Sequence, residues 1–348
     1  MIATGEKKDI RLFGQEELTS YFTQIGEKAF RAKQVYDWLW NKSATSFEEM
    51  TNLSLKTREL LNDHFEIRSL VAHKEQISSD QTIKSAFKLY DNHLIEGVLI
   101  PAEKRMTACI SSQVGCSLSC KFCATGFLDR KRNLDAPEIY DQVVAIKNQA
   151  EKYYNAPLTN IVYMGMGEPL LNYQNVIKSV ELITSEKGLG MSPRRITVST
   201  AGIAKMIKKL GDDDVKFNLA LSLHAANEKK RSQIMPINES NSLESLTDAL
   251  NYFYQKTKNK ITLEYIAFRN FNEGLDDAEE LYRFAKKIPC KINIIEYNPI
   301  DHADFKKADP GKIDLFKEYL EKKGLVVNIR RSRGKDIDAA CGQLANKN

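Results

Sequence analysis

The sequence predicts an α/β protein: an incomplete barrel of parallel strands, preceded by a small helical unit and a β-hairpin. Three observations carry this. From Arg105 onward, short β-branched runs (TACISSQ, NIVYMG, RITVST, FNLALSLH, ITLEYIAF, INIIEYN and LVVNIR) alternate with helix-like segments. The intervening segments, roughly 20 to 40 residues each, are long enough for a helix that returns the chain to a parallel neighbour. Six or seven such units fall short of a closed eight-stranded barrel, which typically takes about 250 residues.

Taken in order, residues 1–75 read as a helical domain. The apolar rhythm runs through Ala29, Phe30, Val35, Trp38, Leu39 and Trp40, then Leu53, Leu55, Leu60 and Leu61. Acidic and basic residues nearly cancel there, so charge gives no sign of a nucleic-acid partner. Only local groups such as Arg31, Lys33 and Lys42 offer phosphate contacts, and a solvated face is the plainer reading. Residues 76–104 form a hairpin linker, SAFKLY and LIEGVLI flanking Asp91-Asn92-His93. Glu96 is the one acid in its second strand, and alternation alone would turn it to solvent. Residues 105–348 make the barrel and a polar tail.

The 348 residues carry 51 Lys+Arg against 46 Asp+Glu, a net charge of +5, with 42% hydrophobic and 28% charged residues. That composition excludes disordered, collagenous and coiled-coil classes. No run of roughly 18 apolar residues exists, and Met1 to Asp9 lacks a secretory signal's apolar stretch. A cytoplasmic protein with no membrane partner is expected. Six cysteines are too few for a disulfide scaffold. The crowding of Cys116, Cys120 and Cys123 points to metal or redox chemistry in a reducing compartment.

These three form Cys-x3-Cys-x2-Cys just past the first core strand, the end at which such sheets bind ligands. A structural zinc site is usually closed by four ligands, and no second Cys/His pair lies nearby. An iron–sulfur cluster held by three cysteines leaves one iron open to a substrate. Zinc stays as the alternative. Gly165, Gly167 and Glu168 follow the next strand, where glycine permits a bend or a close approach and an acid suits a cationic ligand. Ser199, Ser222, Leu223, His224 and Asn298 end later strands, and each alone is an ordinary residue. Cys109 alone reads as a small buried hydrophobe, Cys341 as a stray exposed thiol, and Cys290 as core.

The cysteine loop, with Phe122 before its last cysteine, resembles the signature of radical S-adenosylmethionine (SAM) enzymes. Together with MGMGEPLLN, SPRRITVSTAG, NLALSLHA, MPIN, EYNP and DIDAACGQL in that order, the chain from about Arg11 to Leu344 is similar to the RlmN/Cfr family of RNA adenine methyltransferases. Pro169 favours the C2-methylating RlmN type over the C8-methylating Cfr type.

The resemblance implies a partial (β/α)6 radical-SAM barrel, a [4Fe-4S] cluster on Cys116, Cys120 and Cys123, and SAM as cofactor, two molecules per turnover. It implies SAM contacts at Gly167, Glu168, Ser199, Ser222, Leu223, His224 and Asn298. It makes Cys341 the carrier of the methyl group, as S-methylcysteine. Cys109 becomes the thiol that resolves the RNA adduct by forming a disulfide with Cys341, and Glu96 a proton acceptor with which Cys109 competes. Radical chemistry suits the target, because C2 of adenine is an electron-poor carbon and no nucleophile. The implied partners are 23S rRNA, tRNA and an electron donor such as a flavodoxin/reductase system, with the 1–75 domain as an RNA-binding accessory. Basic runs at Arg130–Arg132, Lys229–Arg231 and Arg330–Arg333 are candidate phosphate contacts. The alternatives are C8 methylation and a non-catalytic, zinc-bound RNA-binding module.

Overall fold

The structure, a computed structural model, describes residues 7–346, so most of the Met1–Asp9 stretch and the last two residues of the tail lie outside the described residues. Two short strands, β1 (Lys8–Asp9) and, after the helices α1 (Gln15–Gln24), α2 (Phe30–Trp40) and α3 (Leu55–His64), β2 (Phe65–Glu66), pair in parallel and close the first unit. The helices start where side chains can satisfy free backbone N–H groups. Glu17 accepts from Gly14 N at 2.7 Å before α1, and Ser54 Oγ accepts from Thr57 N at 3.1 Å at α3. Val35, Leu39, Trp40, Leu53 and Leu61 are buried as the rhythm predicts, whereas Phe30 and Leu55 face solvent.

The helical reading of residues 1–75 ends early. After His64 come β2 and then β3 (Val71–Ile77), an edge strand paired antiparallel with β4 (Ile83–Lys88). Its residues are almost all exposed, so no apolar alternation marks it. The hairpin of β4 and β5 (Leu94–Ala102) forms as predicted, but it is no free linker. β5 pairs antiparallel with β6 (Arg105–Cys109), which makes the hairpin part of the main sheet.

After β6, β7 (Gln113–Val114) and β8 (Arg132–Asn133) pair with each other across a loop. The chain then alternates: α4 (Ala136–Tyr154), β9 (Asn160–Tyr163), α5 (Tyr173–Thr184), β10 (Ile196–Thr200), α6 (Ala204–Asp212), β11 (Asn218–Ser222), α7 (Glu228–Ile234), α8 (Leu243–Thr257), β12 (Ile261–Ala267), α9 (Leu275–Ala285), β13 (Cys290–Glu296), α10 (Pro310–Lys322) and β14 (Val327–Arg330). The sheet order is β14-β13-β12-β11-β10-β9-β6-β5-β4-β3. Neighbours from β6 to β14 run parallel, as βα crossovers require. The sheet ends at β14 and β3 and stays open, in agreement with an incomplete barrel.

One continuous core joins the helical unit to the barrel. Arg11, buried, donates to Asp9 at 2.9 Å and to Asp141 on α4 at 2.7 Å, and the Tyr140 hydroxyl donates to the Trp40 carbonyl. The two units therefore meet through a desolvated ion group, whose pairing offsets the cost of burying each charge. No helix of the described residues is long and apolar enough to cross a membrane.

Candidate active site

The cysteine loop leaves and returns through the β7–β8 clasp. Gly115 sits at φ +76°, and a Cβ there would lie 2.2 Å from the Asp129 carbonyl, so only glycine lets the two ends approach. Cys116, Cys120 and Cys123 face a cavity at the carboxyl ends of the parallel strands. Its walls also include Cys109, Gly167, Glu168, Ser199, Ser222, His224, Glu264, Arg330 and Cys341. The fold thus gathers residues separated by more than two hundred positions.

Burial pushes the Cys116 thiol up to about 11 and raises Cys120 and Cys123 as well. Cys116 and Cys123 both oppose ionisation of Cys120, and only Arg231 favours it. Three buried, mutually repelling sulfurs are a donor set that a cationic group stabilises. Among the described residues, no three His, Cys, Asp or Glu side chains converge on a point that would hold a single ion. A structural zinc site is usually closed by four ligands, whereas a four-iron cluster held by three cysteines keeps one iron open to a ligand in the cavity. The loop fits the cluster.

Glu168 is buried at the turn after β9. One oxygen accepts from Leu170 N at 3.0 Å and the other from Ala201 N at 2.8 Å, while burial raises its pKa. It therefore ties the β9 turn to the end of β10. Gly167, at φ +93°, would place a Cβ 2.5 Å from that of Gln113. Ser199 and Ser222 hydroxyls stand 3.3 Å apart on adjacent strands. His224 accepts from Ile266 N at 3.1 Å through Nδ1, which leaves Nε2 to carry the proton of the neutral ring. Burial, reinforced by Arg231, lowers its pKa to about 3, and its ring meets Phe122 edge-on at 4.8 Å. This lining of carboxylate, hydroxyl and neutral imidazole suits a ligand with a cationic head and a sugar.

Burial pushes the Cys109 thiol up to about 12, Cys341 adding to the rise and Arg330 opposing it. Cys341 is the exposed member, open to the cavity mouth, yet the surrounding protein still raises its pKa against the pull of Arg330. The two thiols share a cavity and a cation, and no disulfide joins them: all six cysteines are free. Cys290 is half-buried and donates to the Ala285 carbonyl, away from the cavity.

Three of the sequence-predicted residues do not line the cavity. Leu223 is packed in the core and uses only its backbone, its N–H donating to the Glu264 carbonyl at 3.0 Å. Asn298 is buried and donates to the Cys341 carbonyl at 3.3 Å, its own Oδ1 finding no partner among the described residues. Glu96, far from facing solvent, is 2% exposed and engages Lys84 and the tail backbone.

The basic runs divide as well. Arg132 is committed to Asp91 and Glu138, and Arg231 is wholly buried, bonded to the carbonyls of Ala201 and Leu223 and to Asn238. Only Arg330–Arg333 reach the cavity. Two residues escaped the sequence reading in their roles, Glu264 in the cavity wall and Arg231 buried behind it. Glu264 is a lone acid in a fully buried strand, a pattern that could have flagged it. It accepts from Asn293 at 2.9 Å and lies 3.9 Å from Arg330. Arg231 had no such signal.

Comparison with known proteins gives two family matches, the ribosomal RNA large subunit methyltransferase N-terminal domain over residues 9–67 and the radical SAM superfamily over residues 110–285. The chain is 63% identical to a protein from Cytophaga hutchinsonii named as a probable dual-specificity RNA methyltransferase RlmN, with 98% of this chain and 94% of the relative covered. A protein of the same name from Fervidobacterium nodosum is 44% identical, covering 97% of each chain. The crystal structure of a radical SAM methyltransferase from Sphaerobacter thermophilus superimposes with a TM-score of 0.92 at 35% identity, over 98% of this chain and 100% of that one.

Proposed function

The chain belongs to the RlmN family of radical SAM RNA methyltransferases, and from that premise we propose that it methylates C2 of adenine in 23S rRNA and tRNA through a methyl group carried on Cys341. The observation that carries the reading is the shared cavity of Cys116, Cys120, Cys123, Cys109 and Cys341. A [4Fe-4S] cluster held there would, with SAM, supply a carbon-centred radical.

The chain's residues supply the rest. Cys116, Cys120 and Cys123 hold the cluster. Gly167 leaves room for the backbone to approach SAM, while Glu168, Ser199, Ser222 and His224 provide its polar contacts, and Leu223 and Asn298 shape the strand ends behind them. Cys341 is the nucleophile that accepts the methyl group, its thiolate favoured by Arg330. Once the carrier carbon is bonded to C2, Cys109 as thiolate takes the C2 proton and the adduct gives up one electron, which the bound cluster would accept; Cys109 then passes the proton to solvent and, again as thiolate, attacks the Cys341 sulfur. The S–S bond forms as the C–S bond breaks, the electron pair of the broken bond goes to the carbon on C2, a proton from solvent completes the methyl group there, and methyladenine leaves. Two electrons from an external donor, of the flavodoxin/reductase kind, reset the pair. Two SAM molecules are consumed, one for the carried methyl and one for the radical. The target base must leave its stack to reach this site. The helical unit that ends at His64 and the Arg330–Arg333 mouth of the barrel are the surfaces assigned to RNA.

The test is the position of the new methyl group on adenine, read by mass spectrometry of digested RNA after reaction with methyl-labelled SAM. Label at C2 is the expected result. Label at C8 would move the chain to the Cfr type, and zinc-bearing, iron-free protein without product would overturn the reading.

A further inference from the structure

Beyond β14 the chain does not end at the sheet edge but crosses back toward β3–β5, and the antiparallel strands grip it on both sides of Cys341. Ahead of the cysteine, Asp80 accepts from Gly334 N at 2.9 Å, Asp336 accepts from the Ser78 hydroxyl, and the Lys84 ammonium lies 3.5 Å from the Asp338 carbonyl. Behind it, one oxygen of Glu96 accepts from both Ala345 N at 2.8 Å and Asn346 N at 3.1 Å, while Asn346 Nδ2 donates to the Leu94 carbonyl at 2.8 Å. Lys84 and Glu96 are themselves paired at 3.4 Å across β4 and β5, both nearly inaccessible to solvent. The cysteine loop adds Ala124 N to the Gly342 carbonyl at 2.7 Å and Thr125 Oγ1 to the Leu344 carbonyl at 2.6 Å.

We propose that Glu96, with Lys84, is a positioning residue: a buried latch that seats the carboxy-terminal segment so that Cys341 enters the cavity. The inference rests on Cys341 being the methyl carrier. A carboxylate that accepts two backbone N–H groups and an ammonium makes charge-assisted bonds, and here each of them ties the segment or the strands beneath it. A proton acceptor must come within hydrogen-bond reach of the proton it takes. Glu96 lies outside the cavity wall, and Cys109 lies in it. The antiparallel extension of the sheet thereby gains a use: its strands are the seat of the moving thiol, and Glu96 acts through the segment, not on the base.

The test uses full-length, cluster-loaded protein and three readouts: amide hydrogen exchange at Ala345 and Asn346, the mass of the Cys341 peptide (a gain of about 14 Da on methylation), and methyladenine formed per methylated Cys341. Glu96→Ala removes the acceptor. Because a lone Lys84 would be a buried unpaired charge, the companion is Glu96→Gln combined with Lys84→Met, which keeps an acceptor oxygen and no charge. In Glu96→Ala, exchange at Ala345 and Asn346 rises roughly tenfold or more, as loss of charge-assisted hydrogen bonds requires. Cys341 methylation and turnover fall in parallel, and the Gln/Met pair recovers both in part. Product per methylated Cys341 stays level throughout. A fall of about a hundredfold or more in that ratio, with exchange and methylation intact, is the mark of a lost proton acceptor and overturns the latch. Unchanged exchange in Glu96→Ala overturns it too. If the unsubstituted protein never carries a methyl on Cys341, the carrier reading fails, and the exchange measurement still decides the latch.

Discussion

Replacing Arg231 with methionine removes the hub that ties two strand-end turns to the turn after α7. The guanidinium is wholly buried, and its donors reach the Ala201 carbonyl at 2.6 Å after β10, the Leu223 carbonyl at 3.2 Å after β11, and Asn238 Oδ1 at 2.7 Å beyond α7. Burial lowers its pKa only to about 10, so it is charged at neutral pH. Each bond to a buried charged donor contributes about 1.5 kcal/mol or more, and each acceptor left bare costs about 1 kcal/mol or more. Counting each bond once, at about 1.5–2 kcal/mol with its bare acceptor included, three such losses sum to roughly 4–6 kcal/mol. Removing a desolvated charge returns part of this, leaving a net loss of about 2–4 kcal/mol. Methionine retains the stem's packing, so cavity formation adds little. The assay is denaturant unfolding of the two proteins under identical cluster loading, with iron and sulfide content measured in parallel. Arg231 is also the cation that favours thiolate at Cys120, so the variant is expected to hold less iron. A midpoint unchanged within error, together with full iron occupancy, would refute the hub argument.

Gly167→Ala forces a side chain into φ +93° with a Cβ 2.5 Å from that of Gln113. The left-handed backbone alone costs about 1–2 kcal/mol, and SAM affinity measured by equilibrium dialysis should fall with stability. Glu296 accepts from Lys335 at 2.8 Å, Arg331 at 3.1 Å and Ser332 N at 3.2 Å, which holds its carboxyl at about 2 against an ordinary 4.5 despite burial. Its stabilisation is therefore fully present above pH 4.5 and lost as pH falls through 2. Glu296→Gln should cost about 1 kcal/mol at neutral pH, solvent screening included. That deficit should shrink on acidification, and a gap constant down to pH 2 would contradict the assignment. Charge reversal at Arg333 should weaken RNA binding and reduce the slope of log K against log salt by about 1, and an unchanged slope removes Arg333 from the interface.

The chemistry was legible where it is written locally. The cysteine loop, the glycine turn before Glu168 and the β-branched runs each fit within a few residues, and the runs have the period their strands require. What could not be read is what distant segments do to one another. Glu96 looked solvent-facing because the group that covers it is the backbone of residues 345 and 346, 249 and 250 positions away. Arg231 looked like part of a basic surface because its neighbours Lys229 and Lys230 are charged. Yet α7 is a single seven-residue helix that turns that one arginine inward. β3 was missed for the opposite reason: an edge strand with polar residues on both faces carries no hydrophobic period at all.

The two thiols are held in ways that assign the motion to one of them. Cys109 ends β6, whose register is fixed on both sides, Cys109 opposite Val98 on β5 and opposite Val162 on β9. It cannot shift without breaking two ladders. Cys341 lies in a segment with left-handed residues at Gly334, Asp338 and Gly342, secured at points before and after the cysteine. Its own backbone contributes only the carbonyl that Asn298 reaches at 3.3 Å. Its neighbours are held, the Gly342 carbonyl by Ala124 N at 2.7 Å and Ala340 by Gln343, so a swing of Cys341 must release few but definite bonds, whereas a shift of Cys109 must break strand pairing. If Cys341 carries the methyl group as proposed, it is the thiol whose surroundings allow it to move, and Cys109 is the fixed one. The sheet is open between β14 and β3, and the segment that carries Cys341 leaves β14 and bonds to β5 and the turn between β3 and β4, so the tail spans the side that a closed barrel would fill with further strands.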